Sequence, residues 1–126
     1  MKFWRAAGRD RELTDIAVTE ERHHDALVLL PAGSLDGGNV HHFESLVMGH
    51  VNNGERRMIV DFSGLNFVSS AGLRVFVIAA RALRAGNGRI ILCGMKHHVE
   101  DVFRVSGIYR VIEIKASRAE ALETLS

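Results

Sequence analysis

The 126-residue chain has one cysteine, one proline, one tryptophan and a formal charge of only +1, and each shortage removes a class of protein. A single thiol, Cys93, cannot cross-link the chain to itself. It sits in an apolar run, as expected of a buried core thiol in a reducing cytosol. The charge is the sum of 16 basic and 15 acidic residues mixed along the sequence, which gives no strong field for attracting nucleic acid. Neither DNA nor RNA is an expected partner. No run of about 18 apolar residues occurs, and residues 1–12 lack the apolar block of a signal peptide. The chain is therefore expected to be cytoplasmic, with no direct membrane insertion.

Signatures of catalysis are also missing. There is no Gly-Lys-Ser/Thr phosphate loop and no dinucleotide fingerprint, so no cofactor is expected. A nucleophile elbow needs a glycine two residues to either side of its serine, but Ser70 has Val68 on one side and Gly72 on the other. His97 and His98 lie beyond the next strand, and no spacing places either on that serine. His23-His24, His41-His42 and His97-His98 are adjacent pairs whose members point in different directions. With no Cys or paired-carboxylate spacing beside them, they read as surface histidines rather than metal ligands.

What is present is nearly half hydrophobic, enough for one domain that hides roughly two thirds of its unfolded surface. The informative stretch runs from Met58 to Leu73. Met58 to Val60 form an unbroken apolar run, closed by Asp61, as in a parallel strand covered on both faces. Ser63-Gly64 turns the chain, and a loop leads to Ser69 and Ser70 directly before a long apolar-periodic segment. A serine there caps the free N–H groups of a first helical turn, and Ser70 is expected to do so.

Residues 1–13 read as a charged lead, with Phe3 and Trp4 free to dock on the domain or on a partner, and 14–126 read as the domain. Ile16–Thr19 and Ala26–Leu30 predict a hairpin with Glu20–Asp25 as its turn and Pro31 as its end. Gly33 to Gly38 reads as a connector. Val40, Phe43, Val47 and Val51 then recur at helical spacing from Asn39 to a stop at Asn52-Asn53-Gly54. A helix over 71–85 buries Leu73, Val75, Phe76, Ala79, Ala80, Ala82 and Leu83. Arg74, Arg81 and Arg84 fall within about 80° of one another, with Ser70 on the same side and Val77 and Ile78 interrupting the stripe. This face is either a solvated surface or a partner-binding one. Arg89–Cys93 is a further strand, Val99, Val102 and Phe103 mark a short helix, and Tyr109–Ile114 reads as the last strand. Ser117-Arg118-Ala119-Glu120 is a capping box for a terminal helix buried through Ala119, Leu122 and Leu125. Strand and helix alternate throughout. The expected fold is a single α/β domain with an N-terminal hairpin followed by β/α units, forming a mostly parallel mixed sheet with packed helices.

The run Phe62-Ser63-Gly64-Leu65-Asn66-Phe67-Val68-Ser69-Ser70-Ala71-Gly72-Leu73 resembles the STAS domain of bacterial anti-sigma factor antagonists. Gly33-Ser34-Leu35-Asp36 before it, and Val102-Phe103 to Gly107-Ile108 after it, extend the resemblance over about residues 14–125. It implies a non-enzymatic binding module that, when unphosphorylated, sequesters an anti-sigma factor that is also a serine kinase. It implies, too, a PP2C-type phosphatase that reverses the modification. Counting back from Gly72-Leu73 places the phosphorylated serine at Ser70, with Ser69, where many members carry aspartate, as the back-up acceptor. Asp36, Ser69, Ser70, Arg74, Val77 and Ile78 are the expected partner-binding residues. The same family also implies an alternative role, as a subunit of a membrane lipid or anion transport complex.

Overall fold

A computed structural model describes residues 2–5 as backbone and residues 16–126 with their side chains. In chain order the elements are β1 (Lys2–Arg5), β2 (Ala17–His23), β3 (Ala26–Leu35), α1 (Val40–Asn52), β4 (Arg57–Asp61), β5 (Gly64–Val68), α2 (Ser70–Ala85), β6 (Arg89–Cys93), α3 (His97–Ser106), β7 (Glu113–Lys115) and α4 (Arg118–Leu125), with a 3-10 turn at Ile108–Arg110. The sheet order is β1-β2-β3-β4-β6-β7, with β5 paired to β3. β1, β2 and β3 run antiparallel, and every other pairing is parallel. Residues 2–5 of the charged lead are thus an edge strand; the docking of Phe3 and Trp4 lies outside the described side chains.

Alternation along the central strands makes two cores, as a sheet covered on both faces requires. Leu27, Leu29, Met58, Val60, Ile90 and Leu92 face one core, where α1, α2 and α3 add Phe43, Val47, Phe76, Leu83, Val99 and Phe103. Val28, Ile59, Ile91 and Cys93 face a second, smaller one closed by Ala121 and Leu125 of α4. In the larger core Phe76 is the hub of an aromatic cluster, with ring centroids 5.6 Å from Phe43, 5.2 Å from Phe62 and 6.1 Å from Phe103. These are offset and edge-on distances, which favour ring pairs.

Several expectations are corrected. The polar residues 20–23 continue β2, so the hairpin turn is only His24-Asp25, with His24 at φ 57. Glu20 faces the helical side, where His50 Nε2 lies 2.8 Å from its carboxylate. Pro31 does not end its strand: β3 runs on to Leu35, so the connector begins only at Asp36. Its missing N–H is tolerated because β3 pairs with β4 up to Leu29 and with β5 only from Ala32, leaving Pro31 in the interval between partners. The segment after Gly64 is a strand, not a loop. Residues 108–110 form a 3-10 turn, which delays the last strand to Glu113. In α4, Ser117 caps the Glu120 N–H at 3.2 Å as the sequence indicates. The buried residues there are Ala121 and Leu125, one turn apart, while Ala119 is exposed.

Candidate functional site

Asp61 ends β4 buried, at 7% exposure. Its Oδ1 accepts the Ser63 N–H at 3.0 Å, and Oδ2 lies 3.4 Å from Arg118 Nε of α4. Arg118 also donates to Glu21 of β2 at 2.6 Å. One carboxylate therefore fixes the turn that launches β5 and ties it to the C-terminal helix. From the other side, Lys96 donates to the Ser63 carbonyl and His98 Nε2 lies against the Asn66 carbonyl, each at 2.6 Å. β5 is braced at its start and at its middle before it reaches the serines.

Ser69 and Ser70 divide the work differently from expectation. Ser69, not Ser70, is the N-cap: its backbone is extended (φ −81, ψ 172) and its hydroxyl accepts the Gly72 N–H at 3.2 Å. Ser70 is the first helical residue, exposed, and its hydroxyl makes no hydrogen bond among the described residues. The sequence cannot separate two adjacent serines by capping preference alone; the backbone does, because only the residue with non-helical ψ can turn its side chain back over the first amides. The amides of Ser70 and Ala71 have no backbone or side-chain acceptor among the described residues, so the positive end of a 16-residue helix opens beside a free hydroxyl.

Asp36 is drawn to the same place. The Ser69 N–H donates to the Leu35 carbonyl at 2.8 Å, and Leu35 pairs with Val68, so the residues following these two strands leave the sheet side by side. Asp36 is held there by Gly38, whose N–H bonds its carboxylate at 2.9 Å, and by the buried Asn39. The Asn39 amide oxygen accepts the Asp36 N–H at 3.0 Å, while its nitrogen donates to the Ser34 carbonyl at 2.8 Å. Gly72 lets α2 approach this close: a Cβ there would lie 3.0 Å from Leu35 and Val68 side-chain atoms.

Arg74, Arg81 and Arg84 are exposed along the face that begins with Ser70, where the half-buried Val77 interrupts them and the half-buried Ile78 lies at the margin. Phe67 was not expected: it is 50% exposed on β5, two residues before the cap. The register of β3 with β5 slips between Gly33 and Ser34, so Leu65 and Phe67 pair with consecutive residues and Asn66 is left over. That bulge turns Asn66 and Phe67 outward together, which breaks the alternation that signals a strand. Among the described residues no three His, Cys, Asp or Glu side chains gather as metal ligands, and no helix is long and apolar enough to cross a membrane.

A mixed sheet with three helices on one face and one on the other, and a serine at the exposed start of α2, is the arrangement of a STAS-type fold. Residues 17–121 match the STAS domain family model, and the chain belongs to that family. It is 34% identical over 104 residues to BtrV of Bordetella bronchiseptica, named as an anti-sigma factor antagonist, covering 82% of this chain and 90% of that one. Its fold is similar to that of an anti-sigma factor antagonist from Thermotoga maritima, with a TM-score of 0.81 at 23% identity over 85% of this chain and 92% of the other. The phosphorylated form of the Bacillus cell fate determinant SpoIIAA shares the fold at a TM-score of 0.67 and 24% identity, over 86% and 99% of the two chains.

Proposed function

We propose that this chain is an anti-sigma factor antagonist whose binding is switched by phosphorylation of Ser70. The observation that carries the reading is the division of labour at α2: Ser69 holds the cap, so the exposed Ser70 hydroxyl is spare to the fold and can be modified without unseating the helix. A phosphate adds about −1.5 to −2 charges, which a helix N-terminus with free amides accommodates, and Arg74 one turn along the same face offers a counter-charge. The domain stays folded in both states; its surface changes.

In the unphosphorylated state, the surface of Asp36, Ser69, Ser70, Arg74, Val77 and Ile78 binds an anti-sigma factor that is also the serine kinase. Phosphorylation places a strongly solvated dianion in the middle of that contact, and an unfavourable charge across an interface costs several kcal/mol, enough at about 1.4 kcal/mol per tenfold to release the partner. A PP2C-type phosphatase restores binding. The chain acts by occupying its partner and has no catalysis of its own. The name of its Bordetella relative supports this role. Incubation with the cognate kinase and ATP, followed by peptide mapping, tests it: one phosphate is expected on Ser70, and modification only elsewhere would overturn the assignment.

A further inference from the structure

α4 is eight residues long, about 12 Å, and lies over strands of which β3 alone runs for ten residues, about 33 Å, so the smaller core is covered over only part of its length. Where the cover ends, between the last turn of α4, the β2–β3 turn and the start of β4, a groove of about 390 Å³ opens, within the range of small-ligand clefts. Its apolar floor is Ala26, Leu122 and Leu125. Asp25, Arg57 and Glu123 supply its charge. Arg57 is on this side of the sheet because the next residue, Met58, faces the larger core, which gives Arg57 the same face as Ile59.

The Arg57 Nε is the one buried side-chain nitrogen or oxygen among the described residues that has no hydrogen-bond partner. Buried donors are nearly always paired, so an orphan calls for a reason. The carboxylate beside it does not serve: Asp25 Oδ1 lies 3.4 Å away, outside hydrogen-bond geometry, on a side chain that is 76% exposed. The Glu123 carboxylate has no partner among the described residues. A plain anion in this groove would be repelled by Asp25 and Glu123, and a plain cation by Arg57. What complements a guanidinium fork, two carboxylates and an apolar floor together is a zwitterion with a hydrocarbon body. We propose that this groove binds a small α-amino acid with an apolar side chain, its carboxylate on Arg57, its ammonium on Asp25 and Glu123, and its side chain over Ala26, Leu122 and Leu125. Asp25 then exchanges a misaligned pair with Arg57 for one with the ligand, and the Arg57 Nε gains its acceptor. The groove lies at the Ala26 end of β3, whereas Ser69 and Ser70 sit by its Leu35 end, and the proposal does not rest on the switch there.

Titration calorimetry of the full chain with L-leucine tests it, beside two probes that each lack one charge: isocaproate, without the ammonium, and isoamylamine, without the carboxylate. One saturable site is expected for leucine, with each single-charge probe bound about tenfold more weakly or worse, as loss of a charge-assisted contact implies. Arg57→Gln and Glu123→Gln should each raise the leucine Kd about fivefold or more, whereas Arg74→Gln, beside Ser70, should leave it within about twofold. Glu123 and Arg74 are exposed, so their variants carry the comparison even where replacing the half-buried Arg57 disturbs folding, which matched melting curves would reveal. Heat that never saturates with leucine, either single-charge probe binding as tightly as leucine, or a leucine Kd unmoved by Glu123→Gln would overturn the proposal.

Discussion

The Ser69 hydroxyl accepts the Gly72 N–H at 3.2 Å while the hydroxyl of Ser70, the next residue, faces solvent. Two neighbouring serines are therefore separable by experiment. Ser69→Ala should lose about 1 kcal/mol of cap stability, lowering the melting temperature by roughly 4 °C for a domain of this size. Ser70→Ala should stay within about 0.5 kcal/mol of wild type, since it removes no contact. Equal losses in thermal melts of the two variants would contradict this assignment of the cap.

Ser70→Asp tests the switch without a kinase. Aspartate at the first helical turn suits the helix dipole, so stability should change by less than about 1 kcal/mol. Affinity for the anti-sigma partner should nevertheless fall tenfold or more, about 1.4 kcal/mol, because the carboxylate is desolvated in the contact. Ser70→Ala should keep the partner. Calorimetry showing the aspartate variant bound as tightly as wild type would remove Ser70 as the regulatory position.

Gly72 is fixed by crowding and not by its backbone angle. A methyl group there would lie 3.0 Å from side-chain atoms of Leu35 and Val68, which are fully or almost fully buried and have little room to yield. Alanine's helix preference over glycine is worth about 1 kcal/mol, against an overpacking cost of about 1–3 kcal/mol. Gly72→Ala should therefore be destabilising overall, read as a lower urea midpoint. A raised midpoint would show that α2 can lift off β3 and β5 cheaply.

The Arg89–Glu113 pair gives stability a pH dependence. Arg89, hydrogen-bonded to Glu113, holds that carboxyl below its ordinary 4.5, and Arg118 does the same to Glu21. A depressed folded-state value means stabilisation that is complete above the unfolded value and is lost as pH falls through the folded one, so the loss is confined to acid below about 4.5. Denaturation midpoints of Arg89→Gln should fall less than those of wild type between about pH 6 and pH 3, and the difference should shrink at high salt, since both partners are part-exposed. Parallel pH curves for the two proteins would show that the pair contributes nothing.

Cys93 lies fully buried in the core beneath α4, and burial, with the nearby Asp61 carboxylate, pushes its thiol up to about 12. Thiolate is the reactive form. Alkylation of the native chain at about pH 8 should be at least about a hundredfold slower than in denaturant. Labelling at the unfolded rate would place the thiol outside the core.

How far the sequence carries can be judged at individual residues. Met58–Val60 and Ile90–Cys93 declare buried parallel strands because every residue is apolar, and both faces of these strands are indeed covered. Val40, Phe43, Val47 and Val51 declare one helix face, since 3.6-residue spacing survives whatever lies opposite; all four are buried. The Ser-Ser-Ala-Gly-Leu run declares a helix start, and together with the motifs flanking it carries the resemblance to the family. Tertiary structure alone decided what depends on a partner strand or on a backbone angle. β5 is concealed because a bulge against Gly33-Ser34 cancels its alternation. Pro31 sits mid-strand because β3 changes neighbours around it. The cap falls to Ser69 because its amide is tied to the Leu35 carbonyl, which holds it extended and leaves Ser70 to begin the helix with its hydroxyl free.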